Sequence, residues 1–516
     1  MNLPHSSSLH SPVIVLDGQT LNLKNLEAIA RHGAQVELCS SALLKVQEAR
    51  NVVENRLKNG GTFYGINTGF GALSDVLIPP HQLTQLQLNL IRSHACGVGD
   101  PLPTDVVRAV LALRIQTMLR GNSGVSVGVV QRMTQFLNKG LIPKVPSQGS
   151  VGASGDLAPL AHIALALVGE GEILDLYSSN QYLPASKVLA SHGIIPLVPS
   201  AKEGLCLING TQVMTAIGML SCIDVGHLCN SADIAAAMTI DATNGTSTSM
   251  RPEIHESRPH AGQVQSAKII QWALQDDAIR LSHENCSRVQ DPYSLRCSPQ
   301  VHGAVRDTLS YVTKVFETEA NSSTDNPLVF AQTDEILSGG NFHGQPIAFA
   351  LDFLAIATCE LGSISERRIE KLVNPHMSSL PPFLAKDSGL HSGFMIPHVV
   401  AAALVSENKI YAHPASIDSI PTSAEKEDHV SMGMTSALKL RKILTNVSKV
   451  LAIELMAAAQ GLEFRKPLEG GLGVRAAYSQ IREISPPMFE DRSLTAEIEH
   501  ISKLVIRDWL KVSEFG

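Results

Sequence analysis

A chain of 516 residues that is 44% hydrophobic can build two or three domain-sized cores, which excludes disorder along its whole length. A formal net charge of -7 over that length gives no footing for nucleic acid or an anionic membrane surface, so the expected partner is a small molecule. The eight cysteines, at 39, 96, 206, 222, 229, 286, 297 and 359, form no CxxC pair and no regular spacing. That argues against a zinc ribbon or a disulfide scaffold and for reduced thiols in the cytoplasm.

The opening MNLPHSSSLHSP has neither a basic n-region nor an apolar h-region, so no secretory signal is expected. Residues 12–24 suit a short strand or two, and Val129 to Leu141 reads as helix, with no strand-like run between it and the glycine-rich stretch that follows. Ile173 to Leu183 suits a hairpin. The Pro- and Ser-rich segment 183–203 is the expected boundary between an N-terminal domain, 1–203, and a long-helix domain, 204–516. Helices are expected over 211–242, 346–373, 393–411 and 431–460. In the last, Leu440, Ile443, Leu444, Val447, Val450, Leu451 and Leu455 share one face of a rod about 45 Å long. A final helix is expected over 494–509. The architecture is therefore mainly α, a central bundle of long helices whose apolar surface one chain can scarcely cover, so a homo-oligomer is expected. Asp352 and Glu360 break one of the longest apolar runs, and none is expected to reach the roughly 20 residues of a membrane span. His255-Glu256 followed by His260 is not HExxH, and no metal is expected.

The chemistry starts at residues 149–156, GSVGASGD. Taken alone, such a run is a tight turn; its spacing is neither GxGxxG nor GxSxG. It also sets a serine between two very small residues. Gly155, with no Cβ, can bring its amide nitrogen onto the carbonyl carbon of Ala153 and close a five-membered ring. Loss of water from that ring and of the Ser154 hydroxyl leaves an exocyclic methylene conjugated to a carbonyl, an electrophile made from the chain itself. Asp156 suits the N-cap of a helix starting at Leu157, with Pro159 in its first turn, which would place the positive end of a helix dipole beside the ring.

The surrounding text, VGASGDLAPLAHIALALVGEG, resembles the aromatic amino acid ammonia-lyase family, most closely its histidine-specific members. So do FYGINTGFG at 63–71, RSHACGVG at 92–99, NGTQ at 209–212, QDPYSLRC at 290–297, TDNPLVF at 324–330, GGNFHGQP at 339–346, SERRIEKLV at 365–373, SGFMIPH at 392–398 and EDHVSMG at 427–433. The resemblance implies an aspartase/fumarase-like helical fold. It also implies that Ala153-Ser154-Gly155 becomes 4-methylideneimidazole-5-one, with no external cofactor.

By the same resemblance Tyr64 is the base that takes the β-hydrogen, Arg296 grips the substrate carboxylate, and Tyr293, Asn209 and Gln290 are polar positions around ring and substrate. Phe342 matches a ring-lining aromatic. Ser93-His94, Met395 and Glu427 match the histidine-specific pattern, and neutral imidazole offers one donor and one acceptor for His94 and Glu427 to meet. Glu425 and Lys426 depart from the uncharged residues common before Glu427. The implied reaction is deamination of L-histidine to trans-urocanate and ammonia, the opening of histidine degradation, in a cytoplasmic homotetramer with shared active sites. A phenylalanine or tyrosine ammonia-lyase or an aminomutase is the alternative within the family. Outside it, the alternative is a non-catalytic helical protein holding phosphate or a nucleotide at a helix N-terminus.

Overall fold

The computed structural model describes residues 13–69, 71–73, 75–178, 181–284 and 289–512; the N-terminal segment read for a secretory signal and Cys286 lie outside them. The chain is mainly helical and divides into two compact units, each assembled from separated stretches. The first comprises Met1–Leu220, Thr313–Leu351 and Ala415–Leu438; the second comprises Ser221–Val312, Asp352–Pro414 and Lys439–Gly516.

In the first unit a parallel pair, Val13–Leu16 with Gln35–Leu38, is joined by the helix Leu23–Arg31, whose N-cap Asn22 accepts from the Asn25 amide. The expected hairpin is present: Glu172–Asp175 pairs antiparallel with Tyr182–Pro184, Ile173 opposite Leu183. A third strand, Leu141–Pro143, completes that sheet. The helix Thr104–Leu119 is buried along nearly its whole length. Its Arg108 is tolerated there because the guanidinium donates to the carbonyls of Ile29 and Leu137. The short strands outside residues 12–24 and 173–183 were not foreseen. Pro146–Gln148 precedes the glycine-rich loop and pairs with Val98–Pro101, three residues being too few for a period-2 signal.

The second unit holds its share of four long helices, Gln212–Ala242, Ser298–Ala320, Gln345–Val373 and Gly433–Glu463. The apolar face foreseen from Leu440 to Leu455 is buried. At its centre these helices are tied by charge rather than by oil alone. The fully buried Arg368 forks onto both oxygens of the fully buried Glu454, which also accepts from Thr239 Oγ1. Arg368 Nη1 lies 3.2 Å from His302 Nε2, and His302 Nδ1 lies 2.7 Å from Asp233 Oδ1, whose other oxygen accepts from Arg306. A carboxylate only accepts and a guanidinium only donates, so His302 is neutral with its proton on Nδ1. Burial, which holds its pKa below the ordinary value, favours the same form.

Helix ends shift by one to three residues from expectation, and the last helix, Thr495–Leu504, is shorter, stopping before Trp509. A larger correction concerns membranes. By length and composition three helices, Gln212–Ala242, Gln345–Val373 and Gly433–Glu463, are apolar enough to cross one, because isolated charges do not interrupt a helix. Within the protein, 78%, 61% and 83% of their most apolar windows are buried.

Candidate active site

The loop carrying Ala153-Ser154-Gly155 lies between the strand Pro146–Gln148 and the helix Leu157–Leu167. Its glycines are required. Gly155 has φ +70°, and a Cβ there would lie 2.1 Å from the Gly210 carbonyl oxygen; Gly152 has φ +66°, and a Cβ there would lie 2.2 Å from Ser431 Oγ. The loop backbone is therefore pressed between two other segments of the first unit. One is the turn at 209–211, whose Gly210 carbonyl accepts from the Asp156 amide at 2.8 Å. The other is 430–433, where Ser431 Oγ donates to the Gly152 carbonyl and the Met432 amide to that of Val151.

Asp156 does stand at the N-terminus of Leu157–Leu167, but its carboxylate does not cap that helix. It accepts instead from the Val213 and Met214 amides at 2.9 Å each, capping the long helix Gln212–Ala242, with Ser150 Oγ at 3.1 Å. The local pattern identified a cap, but only the tertiary fold could say which helix it serves. Complete burial pushes the Asp156 carboxyl up to about 7, opposed by those hydrogen bonds and reinforced by the nearby Glu319 carboxylate.

Because the group holds its proton more tightly folded than unfolded, the stability it confers is present below its ordinary pKa of 3.8 and declines as pH rises through about 7. Asp156→Asn, which keeps the acceptor for both amides, is expected to flatten that decline by about 1.4 kcal/mol per pH unit across this window. Urea unfolding at stepped pH reads it; identical slopes for both proteins would refute the assignment.

Ser154 sits between two foreseen residues. Its hydroxyl donates to Glu427 Oε1 at 3.0 Å, and its carbonyl accepts from Asn209 Nδ2 at 3.0 Å. Glu427 Oε2 in turn accepts from Thr422 Oγ1 at 2.6 Å, which fixes the carboxylate. His94, at the end of Leu83–His94, is half-buried with Nδ1 2.9 Å from the Leu90 carbonyl. That contact makes Nδ1 the donor and leaves Nε2 as an acceptor. Burial lowers the His94 pKa, while the Leu90 carbonyl and the Glu427 carboxylate oppose the shift. Phe342 is half-buried in the turn before Gln345–Val373, beside His343, whose ring stacks on His429 at 5.9 Å. Tyr64 lies in the same unit, its hydroxyl accepting from the Gly71 amide at 3.5 Å.

The second unit carries the rest. The Arg296 guanidinium stacks 4.5 Å over the Tyr293 ring and donates through Nε to the Asp291 carbonyl, while Tyr293 is 71% exposed. Gln290 is exposed, and Met395 opens the helix Met395–Tyr411, also exposed.

Thr422, Ser431 and Glu319 were not foreseen. Ser431 meets Gly152 across 279 residues of chain, a separation that leaves no local signal. Glu319 accepts from Thr211 Oγ1 and so steadies the turn that carries Asn209. None of the seven described cysteines forms a disulfide, and among the described residues no group of three or more His, Cys, Asp or Glu could hold a metal ion. The tripeptide itself suits a ring built from the backbone: Gly155 has no room for a side chain, Ala153 is buried, and a buried amide donor meets the Ser154 carbonyl.

The chain matches the model of the aromatic amino acid lyase family over residues 21–483. It is 51% identical over 494 residues to a histidine ammonia-lyase of Myxococcus xanthus (strain DK1622), covering 96% of this chain and 97% of that one. Among solved structures it is similar to histidine ammonia-lyase from Trypanosoma cruzi, at 44% identity and TM-score 0.90, covering 98% of this chain and 95% of that one. It is also similar to tyrosine aminomutase from Streptomyces globisporus, at 37% identity and TM-score 0.91, covering 98% of each. With that match along nearly the whole chain and a serine held between a carboxylate and an amide in a glycine-bounded loop, the protein belongs to the aromatic amino acid lyase family and is a carbon–nitrogen lyase.

Proposed function

We propose that this lyase removes ammonia from L-histidine to give trans-urocanate, the first step of histidine degradation, in the cytoplasm. The observation that supports this substrate is that Glu427, hydrogen-bonded to Ser154, is near enough to His94 for its charge to oppose the lowering of the His94 pKa. His94 Nε2 and the Glu427 carboxylate both accept, so together they suit the two N–H donors of an imidazolium, whose charge Glu427 balances. Half-identity to histidine ammonia-lyases supports the same substrate.

Ala153, Ser154 and Gly155 form 4-methylideneimidazole-5-one, which supplies the electrophile that makes the substrate amine a leaving group. Asn209, donating to the Ser154 carbonyl, draws electron density from that peptide. Tyr64 takes the β-hydrogen. A loop that closes over substrate would bring that phenol to the reacting carbon and exclude bulk water. Arg296 holds the substrate carboxylate through its planar fork, with Tyr293 stacked beneath to fix the plane. Gln290, Phe342 and Met395 line the site. The functional form is a homotetramer whose subunits share active sites. Met395–Tyr411 supports that, since Met395, Ile396, Val399, Val400 and Ile410 are all exposed on one helix that a second copy would cover.

The test joins two measurements. Intact mass should fall short of the sequence by two waters, and ultraviolet assay should show product from L-histidine and not from L-phenylalanine or L-tyrosine. Active protein of unmodified mass would overturn the ring; product from an aromatic substrate instead of histidine would overturn the substrate.

A further inference from the structure

Ser150 lies outside every role assigned so far, yet its hydroxyl touches both ends of the reacting tripeptide. Ser150 Oγ accepts from the Gly152 amide at 3.1 Å, immediately before Ala153. It also lies 3.4 Å from the Gly155 carbonyl oxygen and 3.1 Å from Asp156 Oδ1, immediately after the nucleophilic nitrogen. One oxygen thus bridges residues 152 and 155–156, and the three residues between have their ends pinned together.

We propose that Ser150 is a positioning residue for ring formation, a clip that holds the Ala153 carbonyl carbon within reach of the Gly155 nitrogen. Closing a five-membered ring from a peptide needs the chain to fold back on itself against its preference for extended geometry. Any group that removes that freedom beforehand raises the rate as an effective concentration. The outer walls, at Gly210 and Ser431, press on the loop from two sides. They do not tie its ends to each other. Ser150 does, and Asp156, anchored to the first turn of Gln212–Ala242, makes one end of the clip immobile. In the step served, the Gly155 nitrogen bonds to the Ala153 carbonyl carbon, and two waters leave, one carrying the Ala153 carbonyl oxygen and one the Ser154 hydroxyl. No oxidant or reductant is needed.

The clip acts on maturation and not on turnover, which separates it from a merely stabilising contact. The inference rests on the ring reading, and the experiment distinguishes the failure of each. Full-length protein is made in a short cell-free pulse, and the share lighter by two waters is followed by intact mass for wild type, Ser150→Thr and Ser150→Cys. Threonine keeps the hydroxyl and should mature at the wild-type rate. Cysteine keeps the size but hydrogen-bonds weakly, and should mature about 10²-fold more slowly. Activity per matured molecule should be equal in all three. If wild type never loses two waters, the ring itself is refuted. If wild type matures and the cysteine variant keeps pace, or the threonine variant lags with it, the role of Ser150 is refuted.

Discussion

Replacing Gly155 by alanine is expected to leave the peptide uncyclised and to reduce activity at least 10³-fold, with the purified protein retaining its full sequence mass. The added methyl has nowhere to go. Gly155 occupies φ +70°, and its Cβ would fall 2.1 Å from the oxygen and 2.3 Å from the carbon of the Gly210 carbonyl. That wall is backbone, so it cannot rotate aside. The turn behind it is held by Thr211 to Glu319, and Gln212 is held by Arg114, Thr117 and Thr324. The loop must therefore retreat, which breaks the hydrogen bond from Asn209 to the Ser154 carbonyl and that from the Asp156 amide to Gly210. Intact mass and a urocanate assay on the same sample decide the matter. A variant lighter by two waters and active would show that the contact yields.

The second large effect lies far from the chemistry. Arg368→Met should destabilise the protein by about 3–5 kcal/mol, because it leaves the Glu454 carboxylate buried without its cation. It also takes the donor from His302 Nε2, so the loss spreads to the Asp233 end of the network. The double variant Arg368→Met with Glu454→Met should recover most of that loss, since matched apolar side chains of similar volume replace both buried charges. Denaturant unfolding of the two single variants and the double reads the coupling. Additive losses would mean the pair is not a pair.

Helix existence was legible because the signal is long. Thirty residues with apolar positions every three or four leave little ambiguity, and Leu440 to Leu455 is buried as that spacing requires. The crowded glycines were legible for a different reason, since small residues in a row have few other uses. Partnerships across the chain were not. Nothing near Asp156 says that its carboxylate serves the helix 56 residues later and not its own, and nothing near Thr422 or Ser431 marks them as neighbours of the reacting loop. The two-unit division has the same character. Each unit draws on three separated stretches, and residue 203 lies inside the first of them. A change of composition along the chain reports only on neighbours in sequence.

Those long separations carry a consequence for the order of events during synthesis. The carboxylate that meets Ser154 is 273 residues downstream, and the hydroxyl that meets the Gly152 carbonyl is 279. When the GASGD segment leaves the ribosome, more than half of the polypeptide that will enclose it has yet to be translated. The nascent loop is free, and a free tripeptide does not condense. Ring closure of the kind proposed would therefore have to wait until the last of those walls has emerged and docked.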